Sequence, residues 1–229
     1  MAILLYDLTG AEDRRFSPFC WRVRFALAHK GLAFTTRPTR FTEIKDVCGG
    51  GRSTLPIIED GARVVCDSAV IADYLEETYP EAPSLYGGAA GRALTGFVAN
   101  WVSAELGPRL FPMVVKDICD HLTPEDRPYF RESREKRLGR TLEEVQDGRE
   151  TKLEGFRRAL APLRATVAGQ AFLGGDSPLF ADYVAAGHFQ WARAVSPFAL
   201  IADDDPVAQW LARVCGLFGG VGHGTPMYA

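Results

Sequence analysis

The chain has 229 residues, a formal net charge of −3, five cysteines and four histidines. That length holds one large domain or two modest ones with a real core, and the charge gives no reason to expect nucleic acid or an anionic membrane as a partner. No stretch is long and apolar enough to span a bilayer, and residues 1–7 are too short for a signal peptide. Cys20, Cys48, Cys66, Cys119 and Cys215 never pair as C-x-x-C, and the histidines lack ligand spacing, so neither a disulfide framework nor a metal site is indicated. The expectation is a soluble, cytoplasmic, metal-free protein.

Ile3-Leu4-Leu5-Tyr6-Asp7 reads as a buried strand. A polar loop follows, in which Arg14 and Arg15 read as exposed arginines able to steer an anion or simply to keep the chain soluble. Ser17-Pro18 then fits an N-cap followed by proline at the first helical position, and Gly31 ends that helix behind His29-Lys30. Ala33 to Arg37 reads as a second strand, Phe41 to Val47 as a helical turn, and Cys48 to Gly51 as a flexible loop, either a lid or a connection. Ser53 to Cys66 contains two β-rich runs around Asp60-Gly61, a strand, tight turn and strand, with Pro56 at the mouth of the first. A cis Leu55-Pro56 bond would expose the Leu55 peptide groups to a ligand. Ser68 to Tyr79 opens another helix. The order strand, helix, strand, loop, strand, strand, helix makes an α/β unit whose first helix crosses between parallel strands.

Beyond Gly87-Gly88 no convincing strand appears. Leu94 to Leu106, Phe111 to His121, Pro128 to Gly139, Leu142 to Ala168, Phe180 to Val195 and Pro206 to Phe218 carry helical periodicity. The mixed-sign run Arg131 to Arg137 reads as a solvated face. The domains are therefore residues 1–86 and 87–229.

Two places carry chemistry. Asp67-Ser68 brings a carboxylate, a hydroxyl and free helix N–H groups together, enough to hold both ends of an amino acid, although on local evidence an ordinary N-cap is the better explanation. Ser17 caps a positive helix end, from which it could donate to an anionic sulfur or oxygen. Cys20, one turn on, sits among Phe19, Trp21 and Val23, which favours an inert buried thiol over a reactive thiolate.

The Ser-Pro-Phe-Cys helix start, Leu-Pro-Ile-Ile, Asp67-Ser68 and the helical second half together resemble the cytosolic glutathione transferases, over nearly the whole chain. The resemblance implies a thioredoxin-like N-terminal domain with Pro56 cis, an all-α C-terminal domain and glutathione as co-substrate. It also implies Leu55 on the cysteinyl part, Asp67 and Ser68 on the γ-glutamyl end, and Ser17 at the thiol-activating position. Holding a thiol of pKa about 8.5 half-ionised near neutrality takes roughly 1.4–2.7 kcal/mol. A hydrogen bond to a charged acceptor contributes about 1.5–3 kcal/mol and a helix N-terminus about 0.3–1, so no metal or general base is needed. Leu5-Tyr6-Asp7-Leu8, Ser17 to Arg22, Gly50 to Ser53, Asn100-Trp101, Gly107-Pro108, Ser133-Arg134-Glu135, Leu142 to Glu150 and Leu173 to Asp176 are similar to the etherase-like branch. That branch holds bacterial β-aryl etherases and fungal FuA-type transferases, which implies a homodimer acting on a hydrophobic aromatic electrophile in detoxification or aromatic catabolism.

One departure stands out. Leu179 occupies the position, three before Asp182, where the family carries a capping Ser, Thr or Asn, and Ser177-Pro178 offers a cap one turn earlier. For the second substrate, Trp101, Leu110, Phe111, Val114 and Val115, with Lys116 or Tyr129 at the rim, are candidate lining residues. Two other functions compete with the transferase: a thiol reductase using Cys20, and a protein that binds aromatic ligands or glutathione conjugates without turnover.

Overall fold

A computed structural model describes residues 2–228; positions 1 and 229, the outer limits of the expected domains, lie outside the described residues. The first part runs β1 (Ile3–Leu8), α1 (Pro18–His29), β2 (Phe34–Thr39), a 3₁₀ stretch (Phe41–Gly49), β3 (Ile57–Asp60), β4 (Arg63–Cys66) and α2 (Ser68–Thr78). The strands form one mixed sheet in the order β2-β1-β3-β4. β1 runs parallel to β2, so α1 is a crossover, while β3 is antiparallel to β1 and β4. Gly61 takes the left-handed φ of +58° that the tight turn between β3 and β4 requires. This is a thioredoxin-like domain, as the sequence implied.

The second part is helical: α3 (Ala89–Trp101), a π-helical turn (Val102–Leu106), α4 (Gly107–Asp120), α5 (Asp126–Leu138), α6 (Leu142–Gln146), α7 (Arg149–Ala159), α8 (Ala161–Gly169), α9 (Phe180–Val195) and α10 (Pro206–Gly220). The span read as one segment from Leu142 to Ala168 is three helices. Gly148 turns left-handed at φ +60° between the first two, and the chain breaks again at Leu160, ahead of Pro162 in the first turn of α8.

α1 and α9 lie at the centre of the molecule. Trp21, Val23, Phe25, Ala26 and Leu27 of α1 are fully buried, between the sheet on one side and α9 on the other. Phe25 stacks on Tyr183 at 5.3 Å, and the Tyr183 hydroxyl meets His29 Nδ1 at 2.6 Å. At the crossing, a Cβ on Gly187 would drive into the Pro18 carbonyl oxygen, so this contact admits only glycine without a backbone shift.

Ser177-Pro178 does not start α9. The helix begins at Phe180, and Leu179, having no acceptor on its side chain, leaves the capping to Asp182. The buried Asp182 carboxylate accepts from the Leu179 N–H at 3.0 Å, the Leu173 N–H at 2.8 Å and Trp210 Nε1 at 2.8 Å. A loop, the start of α9 and α10 are thus tied by one side chain, which replaces the missing cap.

Arg14 and Arg15 are not free surface arginines either. Arg15 is buried, pairing with Asp7 at 3.0 Å and Asp13 at 2.7 Å, and Arg14 donates to the Ala194 carbonyl at 3.0 Å. Both anchor the loop that leads into α1, and neither is available to steer a substrate.

Candidate active site

Ser17 is the N-cap of α1, with its Oγ accepting from the Cys20 N–H at 3.2 Å and Pro18 at the first helical position. The approach to Ser17 is fixed from several sides. Trp21 Nε1 donates to the Arg15 carbonyl at 2.7 Å, and Asp7 on β1 receives Arg15 at 3.0 Å and Arg24 at 3.1 Å. Gly10 lets the loop lie against the His121 carbonyl at the end of α4, where the Ala11 N–H donates to that oxygen at 2.8 Å. Ser17 is therefore positioned by both halves of the chain.

The Leu55-Pro56 peptide is cis, as the resemblance implied. Among the described residues the Leu55 backbone makes no hydrogen bond, so its N–H and C=O remain available to a partner. Asp67, beside Pro56 through its N–H to the Pro56 carbonyl at 3.3 Å, takes a left-handed φ of +74° and caps α2. Its Oδ1 accepts from Ala69 and Val70, and Oδ2 accepts nothing among the described residues. Ser68 is buried, and its hydroxyl makes no hydrogen bond among the described residues.

A cavity of about 680 Å³ opens between the halves, lined by Ser17 and Leu55 on the sheet side. Asp67 and Ser68 stand outside its lining, one strand end away. On the helical side the sequence reading of the wall is only partly right. Phe111 and Tyr129 do line the cavity, but Leu110, Val114 and Val115 are fully buried on the core face of α4 and Trp101 packs against the core. Lys116 points away, paired with Asp120 at 2.7 Å. Phe130 and Trp191 complete the aromatic wall on that side, and Phe41 of the 3₁₀ stretch joins it from the sheet domain.

Several lining residues had gone unnoticed. Arg22 is buried, its guanidinium 4.5 Å over the Phe19 ring and its Nε without a partner among the described residues; burial lowers its pKa to about 10, with Asp67 opposing the shift. His188 lies beside Phe19 and Trp191, and burial, helped by Arg22, pulls its pKa down to about 3, so the ring is neutral at ordinary pH. Arg134 and Arg137 of α5 also line the cavity, which corrects the reading of Arg131 to Arg137 as a solvated face throughout. A signal was present: Phe130, Arg134 and Arg137 are spaced i, i+4, i+7 and share one helix face.

Cys20 is fully buried, and burial with the neighbouring Asp7 pushes its thiol well above the usual range. Among the described residues, no His, Cys, Asp and Glu side chains group in threes or more to hold a metal ion. No described helix is long and apolar enough to cross a membrane.

A thioredoxin-like sheet that presents a cis-proline edge and a serine-capped helix to a cavity closed by a helical domain defines a class of glutathione-handling proteins. The chain belongs to the glutathione S-transferase family: the family's C-terminal domain matches residues 93–214 and its N-terminal domain residues 13–83. The glutathione S-transferase-like protein ustS of Aspergillus flavus is 26% identical, over 82% of this chain and 78% of its own length. The crystal structure of GSTFuA3 from Phanerochaete chrysosporium superposes at a TM-score of 0.81 with 28% identity, over 96% of this chain and 97% of that one. The same fungus's GSTFuA2 gives 0.77 and 27%, over 96% and 93%, in keeping with the FuA-type likeness of the sequence. CsGST63524 of Ceriporiopsis subvermispora, solved in complex with glutathione, shares the fold at a TM-score of 0.82 and 24% identity, over 99% of each chain.

Proposed function

We propose that this protein is a glutathione transferase that joins the sulfur of glutathione to a hydrophobic aromatic electrophile, β-aryl ethers included, using residues 1–86 to hold glutathione and residues 87–229 to hold the second substrate. The observation that carries this reading is the Ser17 hydroxyl, set at a helix N-terminus in the lining of a cavity whose opposite wall is aromatic. Because Ser17 Oγ already accepts from the Cys20 N–H, its own proton is free to be donated to a sulfur anion. The unpaired peptide groups of Leu55 suit the cysteinyl backbone. The Ser68 hydroxyl and the first N–H groups of α2 suit the γ-glutamyl carboxylate, and Asp67 Oδ2 suits its ammonium. Bound glutathione supplies the nucleophile, its thiolate. Ser17 and the α1 N-terminus favour that charged form, and the aromatic wall orients a ring against it. At a β-aryl ether the C–S bond that forms replaces the C–O bond that breaks, and a phenolate leaves.

The test is phenol release from a β-aryl ether ketone, with and without glutathione, beside conjugation of a simple aromatic halide. Ser17→Ala is expected to keep glutathione binding and lose about 10- to 100-fold in turnover, the worth of one hydrogen bond to a charged acceptor. The inflection of its pH–rate profile should rise by about one unit toward the free thiol value. His188, neutral from about pH 3 upward, contributes no inflection near neutrality. Unchanged turnover in Ser17→Ala would remove the serine from the chemistry. Tight aromatic binding with no turnover of any electrophile would favour a ligand-binding protein instead. A reductase acting through Cys20 gains no support from a thiol that is fully buried and held protonated.

A cytoplasmic homodimer accompanies this reading. All five cysteines are free, and Phe97, 71% exposed, stands three residues from the exposed Leu94 on α3, with Val64 and Val70 also exposed. Sedimentation of the purified protein checks the dimer.

A further inference from the structure

Among the described residues, three arginines and no carboxylate line the cavity. Arg22 stands on the sheet side within the field of Asp67, but Arg134 and Arg137 belong to α5, on the opposite wall. Their surroundings differ from those of the other cation in the middle of the same helix. Arg131, on the outer face, pairs with Glu135 at 2.8 Å and Glu143 at 2.8 Å. Arg134 and Arg137 form no ion pair among the described residues; Arg134 donates to the Ser133 hydroxyl, at 2.9 Å, and lies beside the Tyr129 hydroxyl. Both lie over rings of the cavity wall, Arg134 at 4.6 Å from Phe130 and 5.4 Å from Phe41, Arg137 at 5.4 Å from Phe111. Phe111 in turn stacks on Trp191 at 5.9 Å. Burial, with the neighbouring Arg137 cation, pulls the Arg134 pKa below its ordinary value, and Tyr129 opposes the shift.

A slot walled by flat rings and edged by two guanidiniums, with no carboxylate to answer them, matches a flat ring that brings its own negative charge. A carboxylate suits it best, since the guanidinium fork takes both oxygens at once. We infer that the second-substrate side of this cavity selects aromatic molecules bearing an anionic group, an aromatic carboxylate above all, with Arg134 and Arg137 receiving the charge and Phe111, Trp191 and Phe130 receiving the ring. The inference rests on the transferase reading only for the fate of the bound ring; the binding preference stands on its own.

Two pairs of probes separate the claims. For binding, 3,5-dinitrobenzoate and its methyl ester, neither with a leaving group at C4, are titrated calorimetrically into the full-length protein. The acid is expected to bind about tenfold tighter than the ester, as a charge-assisted pair with the half-buried Arg134 and the exposed Arg137 at the rim should. Arg134→Gln and Arg137→Gln should each lower that preference by about three- to tenfold, through the acid's affinity rather than the ester's. Arg131→Gln, on the outer face, should leave it alone. Equal binding of acid and ester, or a preference that survives both substitutions, overturns the inference. For turnover, 4-chloro-3,5-dinitrobenzoate and its methyl ester are offered with glutathione; a C–S bond forms at C4 and chloride leaves. Preferred binding of the acid with neither electrophile consumed supports the inference and counts against the transferase reading. Equal kcat/KM for both electrophiles, each divided by its uncatalysed rate with glutathione, supports the transferase and overturns the inference. A rise in the KM for glutathione in the two variants, with the acid-to-ester ratio unchanged, would assign the arginines to glutathione and overturn it as well.

Discussion

On the sheet side of the cavity, Ser17 is fixed by a chain of polar contacts: its own cap on α1, the buried Arg15 and Arg24 on Asp7, and the Trp21 indole on the Arg15 carbonyl. On the helical side, Phe111, Trp191 and Phe130 are placed mainly by packing, and the cations among them have no carboxylate partner among the described residues. The difference fits the tasks proposed for the two walls. A hydrogen bond to a developing or held charge needs its donor fixed in direction, which directional contacts provide. A ring needs area and shape, and aromatic packing supplies both while leaving the polar edge open for a ligand.

Substitutions can break this contrast at graded depth. Asp7→Ala strips the buried Arg24 of its carboxylate partner and leaves the buried Arg15 with Asp13 alone, which should cost about 3–5 kcal/mol, the usual penalty for stranding buried charge. Urea unfolding measures the loss, and Ser17 turnover should fall with it if the polar chain does hold the serine. Gly187→Ala presses a methyl group into the Pro18 carbonyl and should cost about 1–3 kcal/mol as an overpacked contact between backbones. It should depress kcat more than the affinity for an aromatic ligand, because it displaces the first turn of α1 rather than the aromatic wall. The smallest effect belongs to the outer face of the helical half. Arg131 holds the Glu143 carboxyl down at about 2, so that pair contributes stability above the ordinary carboxylate pKa and loses it as pH falls toward 2. Both side chains are well exposed, and solvent screening limits the effect to under about 1 kcal/mol. Arg131→Gln should therefore barely change the acid limb of the stability curve.

The sheet side was the more legible of the two in the sequence, because its signals are local. Ser17-Pro18, Gly31, the Asp60-Gly61 turn and Asp67-Ser68 each mark an element boundary through backbone chemistry within a few residues, and the structure places boundaries there. The helical wall is built from faces, and periodicity does not say whether an apolar face looks into a core or a cavity. Leu110, Val114 and Val115 satisfied the pattern as well as Phe111 did, yet only Phe111 reaches the cavity. Arg15 was misread for a related reason: its partner Asp7 belongs to a different element, and nothing between them in the chain marks the pairing. Asp182 makes the same point, since its three donors come from a loop, its own helix start and α10.

The crossing of α1 and α9 at Gly187 also governs how freely the two halves can be exchanged among relatives. The Pro18 carbonyl at that crossing belongs to the residue directly after Ser17, so the helical half sets the depth at which the serine sits. A hybrid of this sheet with foreign helices keeps the hydroxyl in place where the incoming helix also lacks a Cβ at that point. A bulkier residue there tips α1 off its seat and moves the hydroxyl with it, although every residue of the sheet domain is unchanged. A transplanted helical half would therefore be tested at this backbone contact before any substrate is met.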